Sequence, residues 1–244
     1  MNSPAEVKPY KKDGSSRKEE VEQMFDAIAH RYDFLNQILS FGVHKRWRKK
    51  LLRSFNPSLH RNVLDIATGT GELALAFSKS KIDRVAGLDP SRGMLDVALK
   101  KVEKTRLQTQ PEFYKGFAEE LPFRDGEFHF ISCAFGVRNF HNLDAGLREM
   151  HRVLTSGGKA EILEFSKPCG GLFATLFKFY FKRILPVLGR LISKDPAAYT
   201  YLPESVGAFP SGMAFVKHLE AAGFRDITAR PLTFGTVTLY SGIK

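Results

Sequence analysis

The chain has 244 residues, of which 43% are hydrophobic, and its formal net charge at pH 7 is +11. This length and apolar content suit a single domain with a substantial core and argue against a disordered or fibrous protein. The basic charge favours an anionic partner, which is nucleic acid, an acidic lipid surface or a phosphorylated substrate, without choosing among them.

Membrane-spanning and secreted classes are disfavoured by the sequence. It contains no uncharged apolar run of about 18 residues, and its first residues lack the apolar segment of a signal peptide. The cysteines, Cys133 and Cys169, form no CxxC pair and lie near no histidine cluster, so we expect no metal site. Two isolated cysteines fit a reducing compartment, and we expect a cytoplasmic protein.

The N-terminal part of the chain predicts a basic arm followed by a helical cover. Residues 1–18 are polar and basic, so we expect a flexible arm, and residues 19–244 are expected to form a single domain. From residue 19 the apolar positions recur at intervals of three and four, and a second helical pattern spans residues 44–55. We therefore expect residues 19–60 to be helices that cover the core.

From residue 61 onward, strands alternate with helices. The predicted strands are 62–66, 84–88, 111–115, 128–134 and 159–165, and the predicted helices between them are 71–80, 91–104 and 143–154. Such alternation indicates a parallel sheet in an α/β fold. After a helix over 211–222, two closely spaced strands at 226–230 and 233–240 predict an antiparallel hairpin. A mostly parallel seven-stranded, Rossmann-like sheet that ends in such a hairpin resembles the class I S-adenosylmethionine-dependent methyltransferase fold.

Residues 166–210 interrupt this alternation. The segment 172–194 is rich in phenylalanine and carries Lys178, Lys182, Arg183, Arg190 and Lys194. An amphipathic basic helix of this kind can simply cover the core with its charged face in water. It can also form a lid over an apolar substrate and touch a membrane surface.

A glycine-rich turn follows the first predicted strand. Gly69 and Gly71 allow the backbone to approach a ligand closely, and Asp89 ends the next strand. These residues fit NAD and S-adenosylmethionine equally well, because an acid at this position accepts hydrogen bonds from the ribose of either ligand. A glycine turn that binds no ligand is the third interpretation.

Three features favour S-adenosylmethionine over NAD. Asp65 precedes the turn, where it would repel a pyrophosphate but attract the cationic methionyl end. The stretch 118–123 lies where methyltransferases of this fold bracket adenine, so Phe117 and Ala118 are expected beside that ring. No separate dehydrogenase domain follows.

Polar residues after the fourth predicted strand are candidates for the chemistry. Arg138 and Asn139 would face the transferred methyl group, with Arg138 orienting an oxyanion; the simpler interpretation of Arg138 is a surface ion pair. His141 fits a hydrogen-bonded loop residue better than a catalytic one, and Cys133 fits a small core residue.

The sequence resembles the ubiquinone/menaquinone biosynthesis C-methyltransferases over residues 20–244. The similarity is carried by the stretches 24–36, 65–71, 87–91, 121–123, 135–140, 162–166, 198–206 and 232–235. Met24-Phe25-Asp26, Phe135-Gly136-Val137-Arg138-Asn139 and Tyr201-Leu202-Pro203 are the specific motifs, whereas the glycine turn is common to many methyltransferases.

The resemblance implies methylation of a ring carbon of a polyprenylated quinol, with S-adenosylmethionine as cofactor. It implies that Thr70, Asp89, Phe117 and Ala118 contact the cofactor, and that Arg138 and Asn139 help to deprotonate the quinol through water. A further contact, from a serine of the family, falls on Ala134, and this departure removes a side-chain hydrogen bond.

We expect demethylmenaquinol as the substrate, with the 2-methoxy-6-polyprenyl-1,4-benzoquinol of ubiquinone biosynthesis as the alternative. The polyprenyl tail implies peripheral contact with a membrane; no nucleic acid partner is expected, and a homodimer is left open. An RNA or small-molecule methyltransferase, and a non-catalytic scaffold of quinone synthesis, are the other hypotheses.

Overall fold

The computed structural model describes residues 7–168, 170–180, 183 and 197–244. Seven strands form one sheet in the spatial order β3-β2-β1-β4-β5-β7-β6. The strands are β1 Asn62–Ile66, β2 Arg84–Asp89, β3 Pro111–Lys115, β4 Phe128–Ala134, β5 Leu154–Phe165, β6 Arg225–Leu232 and β7 Val237–Ile243.

The first five strands are parallel, and β7 is antiparallel to both β5 and β6. This arrangement confirms the predicted parallel sheet and its C-terminal antiparallel hairpin. Several boundaries differ: the last strand is Val237–Ile243 and not 233–240, the helix after β1 is Glu72–Phe77 and not 71–80, and β5 begins at Leu154 and not at residue 159. Leu154 pairs with Phe128 ahead of an irregularity in the ladder, and this early pairing is not visible in the local sequence pattern.

Helices pack on the sheet and across its carboxyl edge. They are α1 Arg17–Ile28, α2 Tyr32–Leu39, α3 Val43–Leu52, α4 Glu72–Phe77, α5 Arg92–Glu103, α6 Leu143–Val153, α7 Gly171–Phe179, α8 Ala197–Ala208 and α9 Met213–Ala221. Val63 and Leu64 on β1, and Phe130 and Ile131 on β4, are fully buried. Burial of consecutive residues means that both faces of the central strands are covered, as in other parallel sheets.

Helix α1 begins two residues earlier than the pattern predicts. Ser16 and Glu19 form a capping box, which satisfies free backbone N–H groups at the start of the helix. The Glu20 carboxylate accepts hydrogen bonds from the backbone N–H groups of Tyr10, Lys11 and Lys12. The flexible arm expected over residues 1–18 is therefore not what the structure contains in the described part. Residues 7–16 fold against α1, and residues 17 and 18 are part of that helix.

Two aspartates tie this helical cover to the edge of the sheet where the strands end. Asp26 on α1 accepts hydrogen bonds from the Ser91 hydroxyl and the Gly93 N–H, at 2.6 and 2.8 Å. Asp33 on α2 accepts one of 2.7 Å from the Thr70 hydroxyl, immediately after β1. These contacts place α1 and α2 over the carboxyl ends of β1 and β2, where α/β sheets bind ligands.

Helices α7 and α8 belong to the insert predicted over residues 166–210. Lys182, Arg190, Lys194 and Cys169 lie outside the described residues, so the predicted basic face of the insert is not described. Across the described ranges, every helix is too short or too polar to cross a bilayer.

Candidate active site

The glycine turn after β1 depends on backbone conformations that favour glycine. Gly69 and Gly71 have φ angles of 55° and 77°. A Cβ atom at Gly71 would lie 3.0 Å from the Cβ of Ala98 and 3.2 Å from the Phe113 ring, whereas one at Gly69 would meet nothing within 4 Å. Gly71 is thus required for the close packing of the turn on α5, and Gly69 leaves open space above the turn.

Asp89, the last residue of β2, holds the turn from the side. Its Oδ2 accepts a hydrogen bond of 2.8 Å from the Gly69 N–H, and its Oδ1 accepts one of 2.9 Å from the Ser91 N–H. Burial raises the pKa of Asp89 to about 7, although the two N–H donors oppose the shift. Each carboxylate oxygen keeps a second lone pair, so Asp89 can accept further hydrogen bonds from a ligand.

A narrow cleft of about 70 Å³ opens beside Asp89. The structure brings together in its wall six of the ten residues that the sequence predicts for the site: Gly69, Asp89, Phe117, Ala118, Ala134 and Asn139. They come from the carboxyl ends of different strands, which explains why residues 70 positions apart in the chain meet. His141 also lines this cleft, and Phe25 and Tyr32 close it from the helical cover.

Asp65, Thr70 and Gly71 are not brought into the wall of this cleft. The fully buried Asp65 accepts hydrogen bonds of 2.6 Å from the hydroxyls of Thr68 and Ser132, and burial raises its pKa to about 6. The Thr70 hydroxyl donates to Asp33 and accepts from Lys101 at 3.0 Å. Both side chains thus support the turn and its cover, and a direct contact with a ligand stays a prediction.

Arg138 lines a second and wider cavity. Its guanidinium forms an ion pair of 3.0 Å with Glu164 on β5, and both side chains are buried. The alternative considered from the sequence, a surface ion pair, is therefore wrong. Burial raises the pKa of Glu164, and the Arg138 guanidinium opposes that shift. The buried Arg138 Nε has no hydrogen-bond partner among the described residues. An unpaired cationic N–H group is a donor available to an anion.

The backbone around Arg138 and Asn139 is held by a residue that the sequence analysis missed. Arg17 is 2% exposed and donates hydrogen bonds to the carbonyl oxygens of Arg138 and Phe140, at 2.8 and 2.6 Å. Arg17 also bonds the Tyr201 hydroxyl, which in turn donates to Asn139 Oδ1 at 3.0 Å. The Ser16–Glu19 capping box was the available signal, because it places Arg17 inside a helix and not in an arm.

The wider cavity has a volume of about 460 Å³ and lies between the helical cover, the insert and the sheet. Its wall is mainly apolar and aromatic, with Leu35, Trp47, Phe165 and Tyr199 among the side chains, and it includes Arg138. Phe25, Tyr32 and Phe135 line both this cavity and the narrow cleft. The two spaces are therefore neighbours that share these three aromatic side chains.

The groups in the wall of the narrow cleft suit the adenosyl part of S-adenosylmethionine, although the cleft of about 70 Å³ must widen to admit it. Each Asp89 oxygen accepts one backbone N–H, so its other lone pair can accept a hydrogen bond from a ribose diol, and the Phe117-Ala118 wall matches an aromatic base. Across the described ranges, the His, Cys, Asp and Glu side chains form no cluster that could hold a metal ion.

Comparison with known proteins agrees with this geometry. The ubiE/COQ5 methyltransferase family model matches residues 12–244. The chain is 43% identical to a demethylmenaquinone methyltransferase of Bacteroides fragilis, over the full length of both chains. It is 44% identical to the ubiquinone/menaquinone biosynthesis C-methyltransferase UbiE of Geobacter sulfurreducens, with 93% of this chain and 89% of the relative covered.

Among solved structures, the fold matches an S-adenosylmethionine-dependent methyltransferase of Thermotoga maritima, described as a possible histamine N-methyltransferase. The TM-score is 0.62 at 18% identity, and the match covers 91% of this chain and 99% of the other. At this identity the likeness shows the fold alone, and it confirms the fold class predicted from the sequence. The chain belongs to the ubiE/COQ5 methyltransferase family and uses S-adenosylmethionine as its methyl donor.

Proposed function

We propose that this enzyme methylates a ring carbon of a polyprenylated quinol, with demethylmenaquinol as the preferred substrate. Relatives of 38–43% identity over the full chain carry the name demethylmenaquinone methyltransferase. The benzoquinol of ubiquinone biosynthesis is the second candidate, because a relative of 44% identity is named for both pathways.

One observation carries this proposal: a wide apolar cavity adjoins a narrow cleft that ends at a buried carboxylate. A cavity of about 460 Å³ with aromatic walls suits a fused ring and the start of an isoprenoid chain, and it exceeds the needs of a small polar acceptor. The shared Phe25, Tyr32 and Phe135 lie where the acceptor ring would approach the methyl group.

Asp89 is the proposed anchor of the donor, with its carboxylate accepting the ribose hydroxyls. Gly69, Phe117, Ala118 and Ala134 would form the walls around the adenosine. A nucleoside needs more room than the cleft of about 70 Å³ provides, so we expect Phe25 and Tyr32 to turn aside when the donor binds. Asp65, Thr70 and Gly71 would act by holding the turn in shape.

S-adenosylmethionine supplies an electrophilic methyl group when it is bound. The ring carbon of a quinol becomes a strong nucleophile only as a ring hydroxyl loses its proton. Arg138 cannot act as the base at pH 7, because guanidinium stays protonated. We propose that Arg138 stabilises the phenolate, that Asn139 orients water that removes the proton, and that Glu164 fixes the guanidinium.

Contact with a membrane would let the isoprenoid tail enter the cavity directly. Phe34, Phe41, Phe179 and Phe234 are between 58% and 79% exposed, and each either lines the wide cavity or neighbours a residue that does. Phe41 and Phe234 adopt positive φ angles of 49° and 55°, which are uncommon for a bulky residue and often mark functional sites. Exposed Lys45, Arg46 and Lys49 on α3 follow Phe41 and suit anionic headgroups.

A competition assay tests the substrate. The enzyme would be incubated in detergent with donor labelled in the methyl group and with both quinols, each kept reduced by dithionite. We expect label in demethylmenaquinol at the higher kcat/KM. Label only in the benzoquinol would reverse the order of the two substrates, and label in neither would refute the proposed function.

A further inference from the structure

His44 is a titratable residue in the wall of the wide cavity that the proposed chemistry leaves unused. It is the second residue of α3 and is only 7% exposed. The turn before it contains Phe41 and Gly42, both at positive φ, and the Val43 N–H donates a 2.9 Å hydrogen bond to the Ser40 carbonyl. This turn brings the Ser40 side chain against the imidazole.

The hydrogen bonds of Ser40 determine which nitrogen of His44 carries the proton. Ser40 Oγ lies 2.6 Å from the Asn36 carbonyl oxygen and 2.6 Å from His44 Nδ1. A carbonyl oxygen only accepts, so the single hydroxyl proton of Ser40 is donated to Asn36. His44 Nδ1 must then be the donor to Ser40, and the neutral ring carries its proton on Nδ1.

In this tautomer Nε2 of His44 is a bare acceptor. Within the described ranges, the ring's hydrogen bond is the one from Nδ1. Burial, together with the charges of Arg48 and Lys45, lowers the pKa of His44 to about 4, while Glu72 and Asp33 oppose this shift. The imidazole is therefore neutral near pH 7, and Nε2 keeps its lone pair.

We propose that Nε2 of His44 accepts a hydrogen bond from a ring hydroxyl of the substrate, and that this contact orients the ring and selects its reduced form. The inference rests on the proposed quinol substrate. A quinol hydroxyl donates to a bare imidazole nitrogen, whereas the carbonyl oxygen of the oxidised quinone meets it lone pair to lone pair. The tautomer in which Nε2 only accepts therefore favours the quinol over the quinone, because binding is weaker when a ligand leaves a buried polar group unpaired.

Two substitutions at this position separate the two nitrogens. In His44→Asn, the amide nitrogen can replace Nδ1–H as donor to Ser40, but no acceptor reaches the position of Nε2. In His44→Gln, the longer side chain can place an amide oxygen near that position. The Gln amide can also present its NH₂ group, so this variant should tolerate the oxidised quinone.

The test measures kcat/KM for reduced demethylmenaquinone and inhibition by its oxidised form. We expect kcat/KM to fall at least about tenfold in His44→Asn and at most about threefold in His44→Gln. The oxidised quinone should inhibit His44→Gln at least about fivefold more strongly than the wild type. Ser40→Ala removes the acceptor that fixes the tautomer, and it should also increase inhibition by the quinone.

Donor affinity, measured by calorimetry, reports whether each variant is folded and should stay within about twofold of the wild type. Equal losses of kcat/KM in His44→Asn and His44→Gln, or unchanged quinone inhibition in both His44→Gln and Ser40→Ala, would overturn this role of His44. If His44→Asn does not fold, the other two variants still decide. Failure of the wild type to methylate any quinol would instead refute the proposed function.

Discussion

Arg17 donates a hydrogen bond of 2.8 Å to the backbone carbonyl oxygen of Arg138, although the two residues are 121 positions apart. The same guanidinium reaches Val7, Phe140 and Tyr201. It therefore links the N-terminal segment, the proposed catalytic turn and the insert in one buried network. Arg17 lines neither the narrow cleft nor the wide cavity, so we regard it as a residue that positions Arg138 and Asn139.

Replacement of Arg17 tests this positioning role. Arg17→Ala leaves several buried carbonyl oxygens without a donor, and we expect the free energy of unfolding to fall by roughly 2–4 kcal/mol. Denaturant unfolding measures this change. In Arg17→Lys, which keeps the positive charge but replaces the three guanidinium nitrogens by one ammonium nitrogen, we expect a folded protein with reduced kcat and unchanged affinity for S-adenosylmethionine. Arg92→Ala removes an exposed arginine and should cost no more than about 0.5 kcal/mol; an equally small loss in Arg17→Ala would contradict the network.

Arg138→Lys tests the proposed stabilisation of the phenolate. Lysine keeps the positive charge opposite the buried Glu164, so the fold should survive, but it loses the planar fork of donors. We expect kcat to fall at least about tenfold while the donor Kd changes by less than about twofold. Steady-state kinetics and calorimetry measure the two quantities.

Arg152→Lys alters an arginine outside both cavities and should leave kcat unchanged. Equal losses of kcat and of donor affinity in Arg138→Lys would show that Arg138 is structural.

The raised pKa of Asp89 predicts that donor binding depends on pH. Only the ionised carboxylate accepts two ribose hydroxyls, and burial raises its pKa to about 7. Binding below pH 7 must therefore release a proton, and the donor Kd should rise by up to about tenfold per pH unit as pH falls from about 7 to 5.5. The amino and carboxyl groups of the donor do not titrate in this range.

Calorimetry of Asp89→Asn and Asp65→Asn assigns that pH dependence. We expect Asp89→Asn to bind the donor weakly with a flat pH profile. The Asp65→Asn variant should retain the wild-type pH profile of donor binding. Although the pKa of Asp65 is about 6, its oxygens are bonded to Thr68 and Ser132 and do not contact the donor in this account. Loss of the pH dependence in Asp65→Asn alone would place the titrating group at Asp65.

Exposed phenylalanines predict binding to anionic vesicles. The double variant Phe41→Ser/Phe234→Ser removes two side chains that are 79% and 75% exposed beside the wide cavity. We expect its partition coefficient for phosphatidylserine-containing vesicles, measured by co-sedimentation, to fall at least about tenfold. Leu59→Ser changes a side chain that is 66% exposed before β1, at the opposite end of the sheet, and should have little effect. Equal losses in both variants would contradict a defined membrane-facing surface.

The sheet and the position of Asp89 beside the glycine turn could be predicted because their signals are local. Continuous apolar runs mark β1 and β4, and Asp89 ends a strand close after the glycine turn. The directions of side chains could not be predicted in the same way. Thr70 is adjacent to Gly69, yet its hydroxyl bonds Asp33 on α2 and Lys101 on α5, and Thr70 does not line the narrow cleft.

Arg17 and His44 show a second limit of prediction from sequence. A basic residue in a basic stretch looks solvated, and only the fold shows that the partners of Arg17 are carbonyl oxygens from the middle of the chain. The acceptor state of His44 depends on the bond between Ser40 and Asn36 at the end of α2. It also depends on the turn with positive φ angles at Phe41 and Gly42, which lies between Ser40 and His44. The partners of Arg17 follow no local pattern, and the spacing of four that joins Asn36, Ser40 and His44 does not reveal the turn between α2 and α3.

The position of the transferred methyl group tests the central claim most directly. The wild-type enzyme would be incubated with S-adenosylmethionine carrying ¹³C in the methyl group and with reduced demethylmenaquinone, and the product would be analysed by NMR. The proposed function predicts ¹³C bonded to a ring carbon of the naphthoquinol. Label on a ring oxygen, or no labelled quinol at all, would contradict it.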